Sequence, residues 1–257
     1  MLRSIITVAL VGSSAPWGAA LAQDGRVSTM SGSDWTFTAA PYVWGTGLDG
    51  DIGLFGFPAQ DVDISFGDVL DNLDMAFMGV FAARNGPYSF GVDLVYSKLG
   101  TNIGTPNGIA ASDIDVEATT FWGTFYGGYQ IVDEPTTSVD VIGGIRVWSV
   151  ENDFRFNGGA LAGTSASDGD DWIDPVIGLQ FRKDLSENFY VSGWGMVGGF
   201  GVSSDLVWDA LGVVGYEVSD VTSIIVGYRA SGVDYSSGGF SYDTVQQGPI
   251  VGAAFRF

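Results

Sequence analysis

The stretch Tyr88-Ser89-Phe90-Gly91-Val92-Asp93-Leu94-Val95-Tyr96 sends Tyr, Phe, Val, Leu and Tyr one way and Ser89, Gly91 and Asp93 the other. A period of two marks a β-strand, whose successive side chains leave opposite faces of the sheet. Soluble strands usually run to about 5–6 residues, whereas here one face stays apolar for about 10. An apolar face of that length, backed by small and acidic residues, predicts a strand with lipid outside and a polar lumen inside.

The same parity recurs along the chain. Ile173, Pro175, Ile177, Leu179 and Phe181 oppose Asp174, Gln180 and Arg182, and Trp208, Ala210, Gly212, Val214 and Tyr216 oppose Asp209 and Glu217. Punctuated by Gly, Asn, Asp and Pro, the pattern predicts ten strands over 35–47, 74–85, 88–99, 113–129, 138–156, 170–184, 189–202, 206–218, 222–234 and 240–257, with a helical turn over 67–73. Connections at 85–87, 131–137, 185–188 and 219–221 are tight, while those at 48–73, 100–112 and 157–169 are long. Short periplasmic turns, longer outer loops and an even strand number describe an all-β, antiparallel up-and-down transmembrane barrel with both termini periplasmic. Barrels of 8 or 12 strands are the alternatives in count, and a soluble β-sandwich is the alternative fold. Tyr88, Tyr96, Tyr190, Tyr216 and Tyr228 near strand ends fit an interfacial girdle.

Residues 1–22 carry Arg3, an apolar run from Ile5 to Val11 and the ending Ala20-Leu21-Ala22, which predicts a secretory signal cleaved after Ala22. Residues 23–34 are then a periplasmic N-terminal segment, and 35–257 the barrel. Beyond the N-terminus no stretch approaches the ~20 apolar residues of a spanning helix.

The chain has 257 residues, 39 of them Gly, with no Cys and no His, and a formal charge of −20. That charge excludes a protein that binds nucleic acid by neutralising its backbone. Without thiol or imidazole, every site that needs a Cys or His nucleophile, base or metal ligand is excluded as well. Paired carboxylates are the remaining acid–base chemistry.

The C-terminal run Gly248-Pro249-Ile250-Val251-Gly252-Ala253-Ala254-Phe255-Arg256-Phe257 resembles the terminal strand of Gram-negative outer-membrane proteins. That likeness implies Phe257 as an assembly signal read by the barrel-assembly machinery. Ala40-Pro41-Tyr42-Val43-Trp44, the segment from Asp61-Val62-Asp63-Ile64-Ser65-Phe66 to Asp74, Gly198-Gly199-Phe200-Gly201-Val202, Gly227-Tyr228-Arg229 and Val233-Asp234-Tyr235 resemble a family of uncharacterised proteobacterial outer-membrane β-barrel proteins. The resemblance implies the fold and the outer membrane as location, and brings no activity with it. Omptin proteases resemble the chain in strand number, but they use an Asp–His pair. Outer-membrane phospholipase and lipid A deacylases use Ser with His. With no His present, the expectation is a protein that is not an enzyme and needs no cofactor.

Two further function classes remain, and lumen chemistry bears on both. Counting from the tight turns puts Arg146 and Arg229 at mid-height on the inner face, Asp93, Glu117, Asp174 and Asp209 from the middle upward, and Arg84, Arg182, Arg256, Asp140 and Glu217 in a lower layer. Paired charges in a narrow barrel predict a closed core. Inner glycines such as Gly91 and Gly123 favour instead a small, cation-preferring, porin-like diffusion channel. A structural or surface-interaction role is the leading expectation, with outer-membrane lipid and lipopolysaccharide as partners. Asp61, Asp63, Asp168, Asp170 and Asp171 in the acidic loops are candidates for weak Mg²⁺ or Ca²⁺ binding between loop and lipid phosphates.

Overall fold

The structure, a computed structural model, describes residues 35–257, so the expected signal and the segment 23–34 lie outside the described residues. Alternating sequence becomes strand throughout: β1 Trp35–Trp44, β2 Gly47–Gly53, β3 Gln60–Ile64, β4 Leu73–Asn85, β5 Tyr88–Gly104, β6 Asp113–Glu134, β7 Thr137–Asn157, β8 Ser165–Asp184, β9 Phe189–Gly199, β10 Leu206–Ser219, β11 Thr222–Ser237 and β12 Phe240–Arg256. Ten of them, β1 and β4 to β12, pair antiparallel in chain order, and β1 pairs again with β12 to close the barrel. Closure leaves no barrel edge unpaired. The seam ends where Phe37 and Phe257 exchange backbone hydrogen bonds of 2.8 and 2.9 Å.

The two extra strands were not expected. β2 pairs with the half of β12 farthest from the termini, from Gly47↔Gln247 to Gly53↔Ser241, and β3 pairs with β2. Gly47, assigned from sequence to the first barrel strand, starts this hairpin instead. A short helix α1, Phe66–Asp71, follows, close to the expected 67–73. Ser65 caps it: its hydroxyl accepts from Asp68 N at 3.2 Å while the Asp68 carboxylate accepts from Ser65 N at 3.2 Å.

Several strands also outrun their expected length, because β5, β6 and β8 continue past the apolar band. On the outer face Phe77, Phe90, Phe125, Ile177, Val214, Val226 and Val251 lie exposed, as a lipid-facing belt requires. The belt stops at an ion pair between Lys98 and Glu117 at 2.7 Å. The end holding the termini and tight turns is the lower end below, and the end holding the β2–β3 hairpin is the upper.

Candidate functional site

The inner face gathers nearly all the buried side chains, so the lumen is the candidate site. At mid-height Arg229 of β11 and Arg146 of β7 converge on Asp209 of β10, with Nη2 to Oδ2 distances of 2.6 and 2.8 Å. Arg229 also donates to Asp93 of β5 and to the hydroxyl of Tyr42 on β1, and Tyr42 in turn donates to Asp93 at 2.9 Å. Arg146 donates to Thr124 at 2.8 Å and Ser231 at 3.3 Å, and the Trp194 indole donates to Asp209 at 2.8 Å. Both Arg and Asp93 have no exposed surface and Asp209 is about as deeply buried. Charges taken out of water are tolerated when matched and hydrogen-bonded, and this belt meets that condition with strands from all round the barrel.

Above the belt the lumen is aromatic. Trp44, Trp122, Trp148 and Trp172 follow one another with ring centroids 6.0, 5.0 and 5.5 Å apart, and Trp172 lies parallel to Tyr235 at 3.9 Å. Leu48, Ile52 and Leu54 from the β2–β3 hairpin pack onto this cluster. The hairpin's turn reaches across to the opposite wall, where the amide of Phe55 donates to Asp168 and its ring meets Phe154 at 5.8 Å. These aromatics were missed in the sequence, although a signal was there: Trp44, Trp122, Trp148 and Trp172 each stand two residues from a polar lumen residue, Tyr42, Thr124, Arg146 and Asp174, and so share its face.

Below the belt the lumen opens into a cavity of about 460 Å³ with Tyr126, Tyr190 and Trp194 in its wall and Arg84, Arg182 and Arg256 toward the lower end. Arg84 pairs with Asp140, Arg182 pairs with Glu217 at 2.7 Å and with Asp184 at 2.9 Å, and Arg256 comes only to 4.0 Å from Glu217. The guanidinium of Arg182 stacks 3.6 Å from the Tyr190 ring centre. Glycines let the tyrosines lie against the wall: a Cβ on Gly91 would stand 2.2 Å from Tyr126 Cζ, and one on Gly215 2.0 Å from Tyr190 Cζ.

Four sequence assignments need correction. Tyr190, expected in the outer girdle, is buried at 4% exposure in the lumen wall. Glu117 does not face the lumen: Thr120, Trp122, Thr124 and Tyr126 carry the inner parity of β6, so Glu117 faces outward and pairs with Lys98. Gly123 shares that outer face, its would-be Cβ meeting Leu94, Phe125 and Phe121. Asp174 is buried inside but joins no Arg, although it lies directly across from Arg146 in the β7–β8 register. Its oxygens accept from Ser204 N at 2.8 Å, Ser204 Oγ at 2.7 Å and the Trp172 indole at 3.1 Å, which ties the β9–β10 connection to the wall.

The five loop aspartates proposed for a cation do not come together. Asp61 and Asp63 lie on β3 opposite Asp51 and Asp49. Within β8, Asp171 faces away from Asp168 and Asp170, and Asp170 accepts from Tyr235 OH at 2.7 Å. Among the described residues no group of three acidic side chains is placed to hold a metal ion. Above the apolar band a different polar cluster forms, in which Asn102 and Asn157 both donate to Asp113 and Asp115 at 2.7–2.9 Å. The amides of Asn102 and then Asn157 hold the Asp115 carboxyl below the usual carboxylate range.

No family model and no curated protein matches the chain. Among solved structures it is similar to the outer membrane protease OmpT from Escherichia coli, at 12% identity over 90% of this chain and 99% of that one, with a TM-score of 0.54. The translocator domain of the autotransporter NalP from Neisseria meningitidis follows at 15% identity over 86% and 88%, TM-score 0.43, and Ail from Yersinia pestis at 12% over 87% and 98%, TM-score 0.38. The likeness to OmpT corrects the expectation that the chain is not an enzyme, since the same barrel fold carries a protease and gives no ground for excluding catalysis. What this chain has in common with these proteins is the fold, that of the Gram-negative outer-membrane β-barrel.

Proposed function

We propose that the protein works in the outer membrane as a barrel with a sealed lumen, in a structural or surface-interaction role. It would reach that place after export and removal of residues 1–22, with the terminal strand ending in Phe257 read by the barrel-assembly machinery. One observation carries the sealed reading: Arg229, Arg146, Asp93 and Asp209 form a cross-section with 0–1% exposure, roofed by the tryptophan layer and the hairpin. A small cation-preferring channel would need a water path past that belt, and an open pore does not leave its guanidinium groups dry. The surface role draws on the strands that outrun the apolar band and on the acidic residues they carry, which would stand among lipopolysaccharide headgroups.

Conductance of the purified protein in a planar bilayer tests the reading. A silent membrane is expected, and reproducible unitary steps would overturn it.

A further inference from the structure

We propose that the β2–β3 hairpin is a lid on the tryptophan layer, loaded by like charge so that it lifts more readily at low ionic strength and settles shut as salt screens it. The two faces of the hairpin pull in opposite directions. Leu48, Ile52 and Leu54 pack inward on the aromatic cluster, and Val62 and Ile64 are half-buried on the same side. The outward face carries Asp49, Asp51, Asp61 and Asp63, all exposed, with Asp49 opposite Asp63 and Asp51 opposite Asp61. This row continues onto the barrel wall, because Asp51 stands opposite Asp243 of β12, and Asp243 opposite Asp234 of β11. Directly opposed residues have Cβ atoms about 4.5–5.5 Å apart, and like charges so placed destabilise the pairing. Among the described residues no Lys or Arg forms an ion pair with any of these six carboxylates. Closing the hairpin therefore gains apolar burial on one face and sets Asp51 against Asp243 on the other.

The attachment suits reversible opening. β1 gives way to β2 at Gly45 and Thr46, where Thr46 N donates back to Trp44 O at 3.1 Å. Beyond that point β2 is bonded to β12 on one side and to β3 on the other, and among the described residues β3 pairs with no other strand. The tip is fastened by Phe55 N to Asp168 and by Gly56 N to Gly239 O at 3.0 Å. Lifting the hairpin breaks these bonds and the β2–β12 ladder, a local unfolding of the kind that amide exchange reads. It leaves the β1–β12 closure and the Arg229–Asp209 pair in place. An open lid thus bares Trp44, Trp148 and Trp172 to the outside without making a pore, so the inference is separate from the sealed lumen.

Salt is the lever that isolates the repulsion, since acid would discharge Asp168 at the tip along with the outward row. The screening length falls from about 30 Å at 0.01 M to about 3 Å at 1 M, which takes the row from mutual repulsion to near silence. The barrel, refolded in non-ionic micelles, is exchanged into deuterium at neutral pH under these two conditions and read by mass spectrometry. The hairpin amides are compared with the β11–β12 ladder of the same molecule. Exchange in the hairpin is expected to slow about tenfold in high salt, the combined effect of the opposed pairs, while the ladder stays as it was. Asp51→Asn, Asp61→Asn and Asp243→Asn together should give the slow rate in both conditions. Asp61→Lys, on the exposed edge strand, sets a cation opposite Asp51 and should slow exchange in low salt even if the triple variant does not fold. Hairpin exchange indifferent to salt, a salt effect that survives in both variants, or an equal change in hairpin and ladder each overturns the proposal. Conductance steps would instead overturn the sealed barrel and leave the lid standing.

Discussion

Arg229 and Arg146 share Asp209, yet their removal should differ in cost. Among the described residues Arg229 is the cation paired with Asp93, and its guanidinium also lies 5.2, 5.9 and 5.3 Å from the ring centres of Trp44, Trp122 and Trp194. Arg229→Ala would leave a buried Asp93 with the Tyr42 hydroxyl alone, and the expected loss is about 3–5 kcal/mol. Arg146→Ala should cost less, since Asp209 keeps Arg229. Replacing Arg229 by Met and Asp93 by Leu together is expected to recover much of the loss, because no charge is then stranded. Denaturant unfolding in micelles measures all three, and a change near zero for Arg229→Ala would contradict the buried belt. The inner position of both arginines was legible from strand parity. Glu117 was not, because above the band the pattern inverts: Asp113, Asp115 and Glu117 take the outer face while Ile114, Val116 and Ala118 take the inner one, so an acidic residue there no longer marks the lumen.

Among the elements, the barrel strands were readable and the β2–β3 hairpin was not, for a physical reason. A barrel strand shows a full apolar face to lipid over many residues, so the period of two stands out. β2 and β3 have only seven and five residues, rich in Gly and Asp. Their apolar side chains serve to cover the lumen mouth, so Leu48, Ile52 and Leu54 look like isolated residues in an acidic loop. β3 also differs in pairing: it bonds to β2 alone, whereas β12 is bonded to β1, β2 and β11. Amide protons of β3 are therefore expected to exchange well before those of the β11–β12 ladder. Exchange read by mass spectrometry checks this, and equal protection would mean that the hairpin is locked down as firmly as the wall.

At the scale of the whole molecule, the outer apolar band sets the bilayer that fits. On β5 the outward apolar residues run from Tyr88 to Tyr96, and Lys98 and Glu117 mark the upper limit. Outer-membrane barrels match a hydrocarbon layer of about 25 Å, and mismatch carries a cost per ångström. Refolding yield should therefore be higher in thin, short-chain bilayers than in thick ones, as followed by circular dichroism. A yield that rises with chain length would place the band elsewhere. The sequence by itself determined the barrel, its strand parity, and the face on which Arg146, Arg229, Asp93 and Asp209 sit, since these follow from local alternation under the demand that lipid meet apolar side chains. It did not determine who meets whom inside. Arg146 lies across from Asp174 in the sheet yet bonds Asp209, 63 positions away, and Arg229 meets Asp93 over a separation of 136. Contacts across a lumen depend on strand tilt, stagger and the closing of β1 onto β12, and on side chains from every strand competing for one interior, so the seal and the pocket beneath it exist only once the barrel is closed.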